Sequence, residues 1–566
     1  MMLKNMVGCK FLSKDDSSDN SPCTNTFSLP APLPNWSQGQ GFGTGKINLG
    51  EIEVAEINSF EFIWGSHLSH DKRKCVSFYK PIDIPEGFFS LGHYCQPNKK
   101  PMCGFVLVAR DLVTSNDSER ARSPALLPPC DYSLVWKSDD GMGIYDPPGY
   151  FWLPESPPRY KAMGFVVTNN PDKPSWADIR CIREDLVDDC QSCGLLLETY
   201  SKFQKIPFKV WKTRPCDRGM LGKGVSTGTF SCTTLWNAGD EMPISCLKNS
   251  DTDLRAMPNL DQIHNLIHHY GPTVFFHPKE VFFPSSVSWF FRNGARLCKV
   301  GHRKGDPVDP DGSNLPGGGS NDGEFWLDFP SDDQKDIVKH GNLESAELYV
   351  HVKPALGGTF TDMVMWIFFP FNGPATFKIG PTTIALGRTG EHVGDWEHFT
   401  LRISNFAGRL DSIYFSQHSG GVWVDASNLE FIEGNRAIVY SSKSGHASYP
   451  HPGTYLQGSS KLGIGIRNDC ARSYQHVDSS NKYQIIAAEY LGSSVTEPCW
   501  LQFMREWGPK VVYKSRKELD KVIKKLPIMI RGSVRNFFNK FPAELSGEEG
   551  PTGPKEKNNW YGDERW

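Results

Sequence analysis

Short alternating runs bounded by Gly and Pro dominate the first half of the chain. From residue 51 to 246 they recur as three loosely similar units. The first reads Phe60–Trp64, Val76–Pro81, Gly87–Gly92 and Gly104–Val108; the second Tyr132–Trp136, Gly149–Pro154 and Tyr160–Val167; the third Phe208–Trp211 and Gly228–Cys232. Each unit predicts a small sheet. Trp64, Trp136 and Trp211 recur at about one position per unit. One such sheet cannot bury both faces, so the pattern predicts three sheets packed around a pseudo-threefold axis with the Trp side chains in a shared core, a β-prism-like domain.

The second half reads differently. Residues 247–258 are polar and are read as a linker. Leu260–Tyr270 carries Ile263, Leu266 and Ile267 at helical spacing. Pro272–Pro278 and Val281–Phe290 read as aromatic strands, and Gly301–Gly323 as a loop. Leu348–Pro354 alternates, Met363–Pro370 is a continuous apolar strand, and Phe399–Ile403, Ile413–His418 and Ala437–Ser441 follow between glycine turns. The expectation over 259–510 is a β-sandwich. Residues 511–566 begin with a basic amphipathic helix over Lys514–Lys540, with Lys517, Lys521, Lys524, Lys525, Arg531 and Arg535 as the side chains expected to face an anionic membrane. The same pattern also suits a helix docked on the domain. Residues 1–50 are expected to be disordered to about residue 26, then extended.

Composition narrows the class. The chain has 566 residues, 39% hydrophobic and 22% charged, which is globular. A net charge of −3 gives no reason to expect a nucleic-acid partner. The N-terminus lacks a signal-peptide core, and no run has the length of a membrane span. The fifteen Cys are expected to be thiols in a reducing compartment, and the CxxC at Cys190 and Cys193 lacks the second pair of a zinc site. A cytoplasmic protein is the expectation.

Gly390–His398 concentrates the candidate chemistry: His392, Asp395, Glu397 and His398 around Gly394 and Trp396. On a regular strand His392 and Glu397 lie on opposite faces, but a kink at Gly394 would re-aim them. Three readings stay open here: a site for a hard cation or polar ligand, a structural cluster in which His392, His418, His446 or a turn satisfies buried carboxylates, or a general base. Elsewhere, His264 and His268 are four apart but lack the Glu of HExxH. The acidic loop Asp306–Asp311 lacks EF-hand spacing. There is no GxSxG elbow or P-loop.

Several stretches together resemble one plant family: Phe276–Pro278, Gly341–Ala346, Phe369–Pro374, Gly390–His398, Gly550–Lys555 and Trp560–Arg565 are similar to proteins related to vacuolar protein sorting-associated protein 62. That resemblance implies a tie to vacuolar trafficking. The first half also resembles multivesicular-body-associated β-prism domains, which implies acidic-membrane binding. Met365–Pro370, the His392-x-x-Asp395-Trp396-Glu397 run and Ser416–Gly421 look like strands of the necrosis- and ethylene-inducing peptide-like cytolysins. This implies a divalent-cation site, Ca²⁺ or Mg²⁺, held by His392, Asp395 and Glu397, with Asn372, His418 and His446 as additional ligands or supports. Two family positions differ: a His is Gly394 and an Asp is Asn372. Together these imply a non-enzymatic protein, peripheral on endosomal or vacuolar membranes, binding anionic lipid or glycolipid head groups. A carboxylate/His hydrolase and a scaffold without a small ligand are the alternatives.

Overall fold

The computed structural model describes residues 25–37, 39–67, 75–112, 123–139, 142, 148–200, 207–234, 242–418, 420–459, 463–512, 523–524, 531–532, 547–548 and 550–565. The segment expected to be disordered, 1–26, lies outside these residues apart from Asn25 and Thr26. The fold is mostly β, built from many small sheets. The described helices are few and short, and none is long and apolar enough to cross a membrane. Two compact units emerge: one of Glu56–Arg214 and Ser226–Leu247, the other of Ser28–Ala55, Pro215–Val225 and the chain from Lys248 onward.

In the first unit, three three-stranded sheets contribute to one core. They comprise Phe60–Gly65, Val76–Pro81 and Tyr94–Pro97; Asp131–Lys137, Tyr150–Glu155 and Val166–Thr168; and Cys190–Tyr200, Pro207–Pro215 and Phe230–Thr233. Aromatic side chains of the three sheets meet there: the Phe78 and Phe151 ring centroids are 4.9 Å apart, and two rings of the third sheet join them, Phe208 at 5.0 Å from Phe151 and Phe230 at 5.1 Å from Phe78. Trp64 and Trp136 are buried in this core, but Trp211 is only partly buried and is not a member of it. Phe208 takes its place, stacked on Trp136 at 4.1 Å. The cause is strand alternation. Phe208 and Val210 point inward along Pro207–Pro215, so Trp211 faces outward. The inward aromatics fall at 64, 136 and 208, which is a more even spacing than the Trp positions give.

The second unit opens with helix α1 (Leu260–Tyr270). Asn259 caps it, and Gln262 returns a bond to the Asn259 backbone, a complete capping box. Its histidines serve packing: His264 Nδ1 lies 2.7 Å from the Tyr483 hydroxyl, and Asn435 Nδ2–H donates to His269 Nε2 at 2.9 Å. The segment 247–258, read as a linker, contains buried Asn249, Ala256 and Met257; Asn249 donates to the Gly357 carbonyl at 2.6 Å. The aromatic run expected as a strand at 281–290 instead contains helix α2 (Val287–Arg292), started by Ser286, whose hydroxyl accepts from the Trp289 amide. A run of Val, Trp and Phe suits a buried helix as well as a strand, and the Ser cap decides between them.

A six-stranded sheet organises this unit: β1 (Leu348–Ala355), β2 (Phe360–Asn372), β3 (His392–Ser404), β4 (Arg409–Gln417), β5 (Gly420–Asp425) and β6 (Tyr483–Ala487), in the order β5-β4-β3-β2-β1-β6. β2 is the apolar strand of the sequence and is buried along all but its last residue. On one face of the sheet Trp366, Phe368 and Trp396 pack with Trp500, Trp507 and Trp560. On the other, Phe369 meets Phe276 at 6.1 Å and stacks on His446 at 3.8 Å. Of the basic tail, only 523–524 and 531–532 are described. Ile523 is buried with Phe377 and Ile379, Lys524 is exposed, and Arg531 donates to the Lys524 carbonyl at 2.7 Å. Lys517, Lys521, Lys525 and Arg535 lie outside the described residues.

Candidate ligand cavity at a fork in the sheet

β2 and β3 pair without a register shift from Phe360–Ser404 to Asn372–His392. Gly394 therefore introduces no extra residue, although its φ is +64°. That backbone is one L side chains rarely adopt, and a Cβ there would stand 2.3 Å from the Trp507 carbonyl. This explains why a His does not fit the position. Gly394→Ala is expected to lower stability by about 2 kcal/mol or more, strain and collision combined. Gly434→Ala, also at positive φ but with its nearest neighbour at 3.7 Å, isolates the backbone part. Equal shifts of the two urea midpoints would refute the collision.

β3 and β4 are paired only from Phe399–Phe415 to Ser404–Arg409. Beyond Phe399 the two strands separate, and a cavity of about 390 Å³ opens in the fork. It is lined on the β3 side by His392, Asp395 and Glu397, and on the β4 side by Tyr414, Ser416 and His418. Asn372, Lys443, Arg467 and Asn468 complete one wall; Glu556, Lys557 and Glu564 from the C-terminal segment complete the other.

The alternation of β3 explains how that segment is held. Trp396, His398, Thr400 and Arg402 share one face. Glu564 joins His398 Nε2 at 3.0 Å and accepts from the Thr400 hydroxyl at 2.5 Å, and Arg402 donates to Asp563 at 3.3 Å. The buried Lys353 donates to the carbonyls of Gly562 (2.8 Å) and Asn559. The segment singled out in the sequence as Trp560–Arg565 is thus anchored by buried polar bonds and is part of the cavity. Sequence reasoning gave it no role in a site.

The carboxylates diverge in character. His446 Nδ1–H donates to Asp395 Oδ2 at 2.9 Å, and both side chains are largely buried. Burial would raise the Asp395 carboxyl, but the His446 bond and the electrostatic pull of His392, His446 and Lys557 outweigh it and hold it below its ordinary value. Glu397 is pushed well above the ordinary range, by burial first and by the Asp395 charge second, against the weaker pull of Lys557. His392 Nδ1–H donates to the Gly394 carbonyl at 3.0 Å, and Asn372 donates to the Gly390 carbonyl at 2.6 Å.

These residues do not fit a divalent cation as arranged. Among the described residues no three His, Cys, Asp or Glu side chains are grouped to hold a metal ion. A kink at Gly394 was expected to converge His392, Asp395 and Glu397. Instead Asp395 is committed to His446, His392 to a backbone carbonyl, and a lysine charge already acts on both acids.

Two features mark the cavity beyond its acids. His418, Ser444 and His446 have φ between +52° and +67° without being glycine. Strain of about 1–3 kcal/mol at such positions gathers where function requires it. Asn468 is 2% exposed. Its Oδ1 accepts from His418 Nε2 at 3.1 Å and from the Ser442 hydroxyl at 3.4 Å, which leaves its buried Nδ2–H donors with no partner among the described residues. A buried donor at the wall of a cavity is met by an ordered water or by a ligand oxygen. No sequence pattern flagged Asn468, because its role depends on the fork.

Among curated proteins, the vacuolar protein sorting-associated protein 62 of Saccharomyces cerevisiae is 25% identical over 177 residues, covering 27% of this chain and 36% of that protein. The matched region therefore spans about a third of that relative's length. Among solved structures, GNIP1Aa from Chromobacterium piscinae aligns at TM-score 0.27 and 16% identity over 38% of this chain and 40% of that one. Necrosis and Ethylene inducing Protein 2 from the causal agent of cocoa's Witches Broom disease aligns at TM-score 0.16 and 15% identity over 39% and 84%. The vacuolar protein sorting-associated protein 62 family model matches residues 23–564, nearly the entire sequence, and the chain belongs to that family.

Proposed function

We propose that this chain is a non-enzymatic binding protein of vacuolar or endosomal sorting that holds the polar head group of a glycolipid in the fork cavity. The observation that carries the reading is Asn468: buried, lining the cavity, with unpartnered donors. A sugar presents hydroxyl oxygens to such donors and hydroxyl hydrogens to carboxylates and carbonyls. A wall that mixes Asp395, Glu556 and Asn372 with Lys443 and Arg467 suits it better than it suits a simple anion. The family tie supports the sorting context. The first unit, read as β-prism-like from its three small sheets, and the exposed Lys524 are the features that favour peripheral attachment, from the cytoplasm, to anionic membrane.

The test is flotation of the full chain with vesicles of phosphatidylcholine, with and without added glycolipid or phosphatidylserine, in calcium and in chelator. Glycolipid vesicles should carry the protein to the top of the gradient equally well in chelator. Failure to float with any glycolipid at low salt defeats the proposal.

One observation favours a hydrolytic reading: Asp395 and Glu397 share a strand face and are pushed toward opposite protonation states, as an acid and a base would be. Glycoside turnover that vanishes in Glu397→Gln would establish it, and absence of turnover by the native chain on every glycoside offered would remove it.

A further inference from the structure

The CxxC of the sequence does not act as a unit. Three residues along a strand lie on opposite faces, so Cys190 and Cys193 diverge; Cys190 is buried and Cys193 partly exposed. Cys190 has a different neighbour. The short strand Val187–Asp188 pairs antiparallel with Cys246–Lys248, with Asp188 opposite Cys246. Cys190 follows Asp188 by two residues and so returns to the same face, diagonal to Cys246. The two sulfur atoms are 3.0 Å apart.

We propose that Cys190 and Cys246 are an oxidisable dithiol, which closes to a disulfide when the chain meets a low-molecular-weight disulfide. Cys190 is the attacking sulfur, because it is 8% exposed whereas Cys246 is fully buried. The Cys246 thiol hydrogen bond, strongest of the causes, and the backbone N–H groups of Arg214 and Gln191 hold Cys190 below the usual thiol range despite burial. The Cys190 thiolate attacks one sulfur of the small disulfide and displaces the other as a thiolate. Cys246, giving up its proton, then attacks Cys190 of the mixed disulfide and releases the second small thiol. Two protein thiols are oxidised, and one small disulfide is reduced to two thiols. The bond would tie two strands 56 residues apart in sequence, so it should stiffen the first unit and raise its unfolding temperature.

The test is incubation of the native full chain with oxidised glutathione, followed by alkylation and peptide mapping. The expected result is a Cys190–Cys246 cross-link that has lost two hydrogens, a higher melting temperature, and Cys95 and Cys232, both buried, still alkylated after unfolding. In Cys246→Ser, Cys190 should accumulate as a persistent glutathione adduct, while Cys193→Ala should cross-link as the native chain does. Recovery of Cys190 and Cys246 as alkylated thiols after prolonged oxidation, or of Cys190 bonded to Cys193, overturns the proposal. The mapping of the native chain decides it even if a variant fails to fold.

Discussion

Asp362→Ala is expected to lower the stability of the second unit by about 3–5 kcal/mol. Asp362 sits on β2 and binds Arg402 of β3 through both oxygens, at 2.8 and 2.7 Å. The two side chains are only 2% and 11% exposed. The guanidinium also lies 4.1 Å over the Trp423 ring and reaches Asp563. Removing Asp362 leaves a largely buried guanidinium with one weaker carboxylate partner, Asp563. The double variant Asp362→Leu with Arg402→Met removes both charges and should cost far less than the single change, because no lone charge remains. Denaturant midpoints of the three proteins decide this. A double variant as unstable as Asp362→Ala would mean that shape, not the uncompensated charge, sets the cost. The pair also bears on the cavity, since Arg402 helps to seat the segment that carries Lys557 and Glu564.

Acid should weaken each unit through buried groups whose ionisation is shifted by folding. In the first unit His93 is 5% exposed and accepts from the Val167 amide. Burial, with the nearby Lys80 charge, lowers it from its ordinary 6.5 to about 3. The unfolded chain therefore takes up a proton below pH 6.5 that the folded chain refuses until about pH 3. Stability is complete above 6.5 and falls as pH drops through this window, by about 4–5 kcal/mol in all. In the second unit Glu564 is lowered to about 2: burial would raise it, but the pull of His398 and its bond, Lys353 and the Thr400 bond outweigh burial. Its contribution is present above its ordinary 4.5 and is lost as pH falls toward 2, about 3 kcal/mol in all. Protection of Val76–Pro81 against hydrogen exchange should thus fall as pH drops from 6.5 toward 3, whereas Phe360–Asn372, which shares that window through the buried and likewise lowered His351, loses the Glu564 share as well toward pH 2. His93→Gln should flatten the first profile between pH 6.5 and 4.5. If Val76–Pro81 keeps its protection through this window in the native chain, or His93→Gln leaves the profile unchanged, this assignment of the acid sensitivity is wrong.

Elements set by local pattern were legible in the sequence, and those set by long-range placement were not. The run from Met363 to Pro370, short and ended by Pro370, reads as a strand buried on both sides, and β2 is that strand. The helical spacing of Leu260–Tyr270 and its polar start gave α1. Trp211 misled because its size suggested burial, whereas alternation had already assigned the inward face to Phe208 and Val210. At 281–290 the aromatic residues outweighed a better signal, the Ser286 cap three residues before Trp289. Within the site, His392, Asp395, Glu397, Asn372 and His418 do line one cavity, while His446 stands behind Asp395 and supports it. Lys443, Asn468, Lys557 and Glu564 were not foreseen. Asn468 lies 71 residues beyond Glu397 and Glu564 lies 167 beyond it, and only the separation of β3 from β4 brings them together.

The proposed glycan head group would sit in the fork cavity against the buried unpartnered amide of Asn468. The most direct measurement is calorimetric titration of the soluble oligosaccharide of whichever glycolipid floats the protein, into the native chain and into Asn468→Leu, with matched melting curves as a control for folding. The expected result is saturable binding to the native chain, unchanged by chelator, and at least a tenfold loss in the variant, since an abandoned ligand hydrogen bond in a buried site is worth about 1–3 kcal/mol. Equal affinity in a folded Asn468→Leu protein, or binding that disappears in chelator, would contradict it.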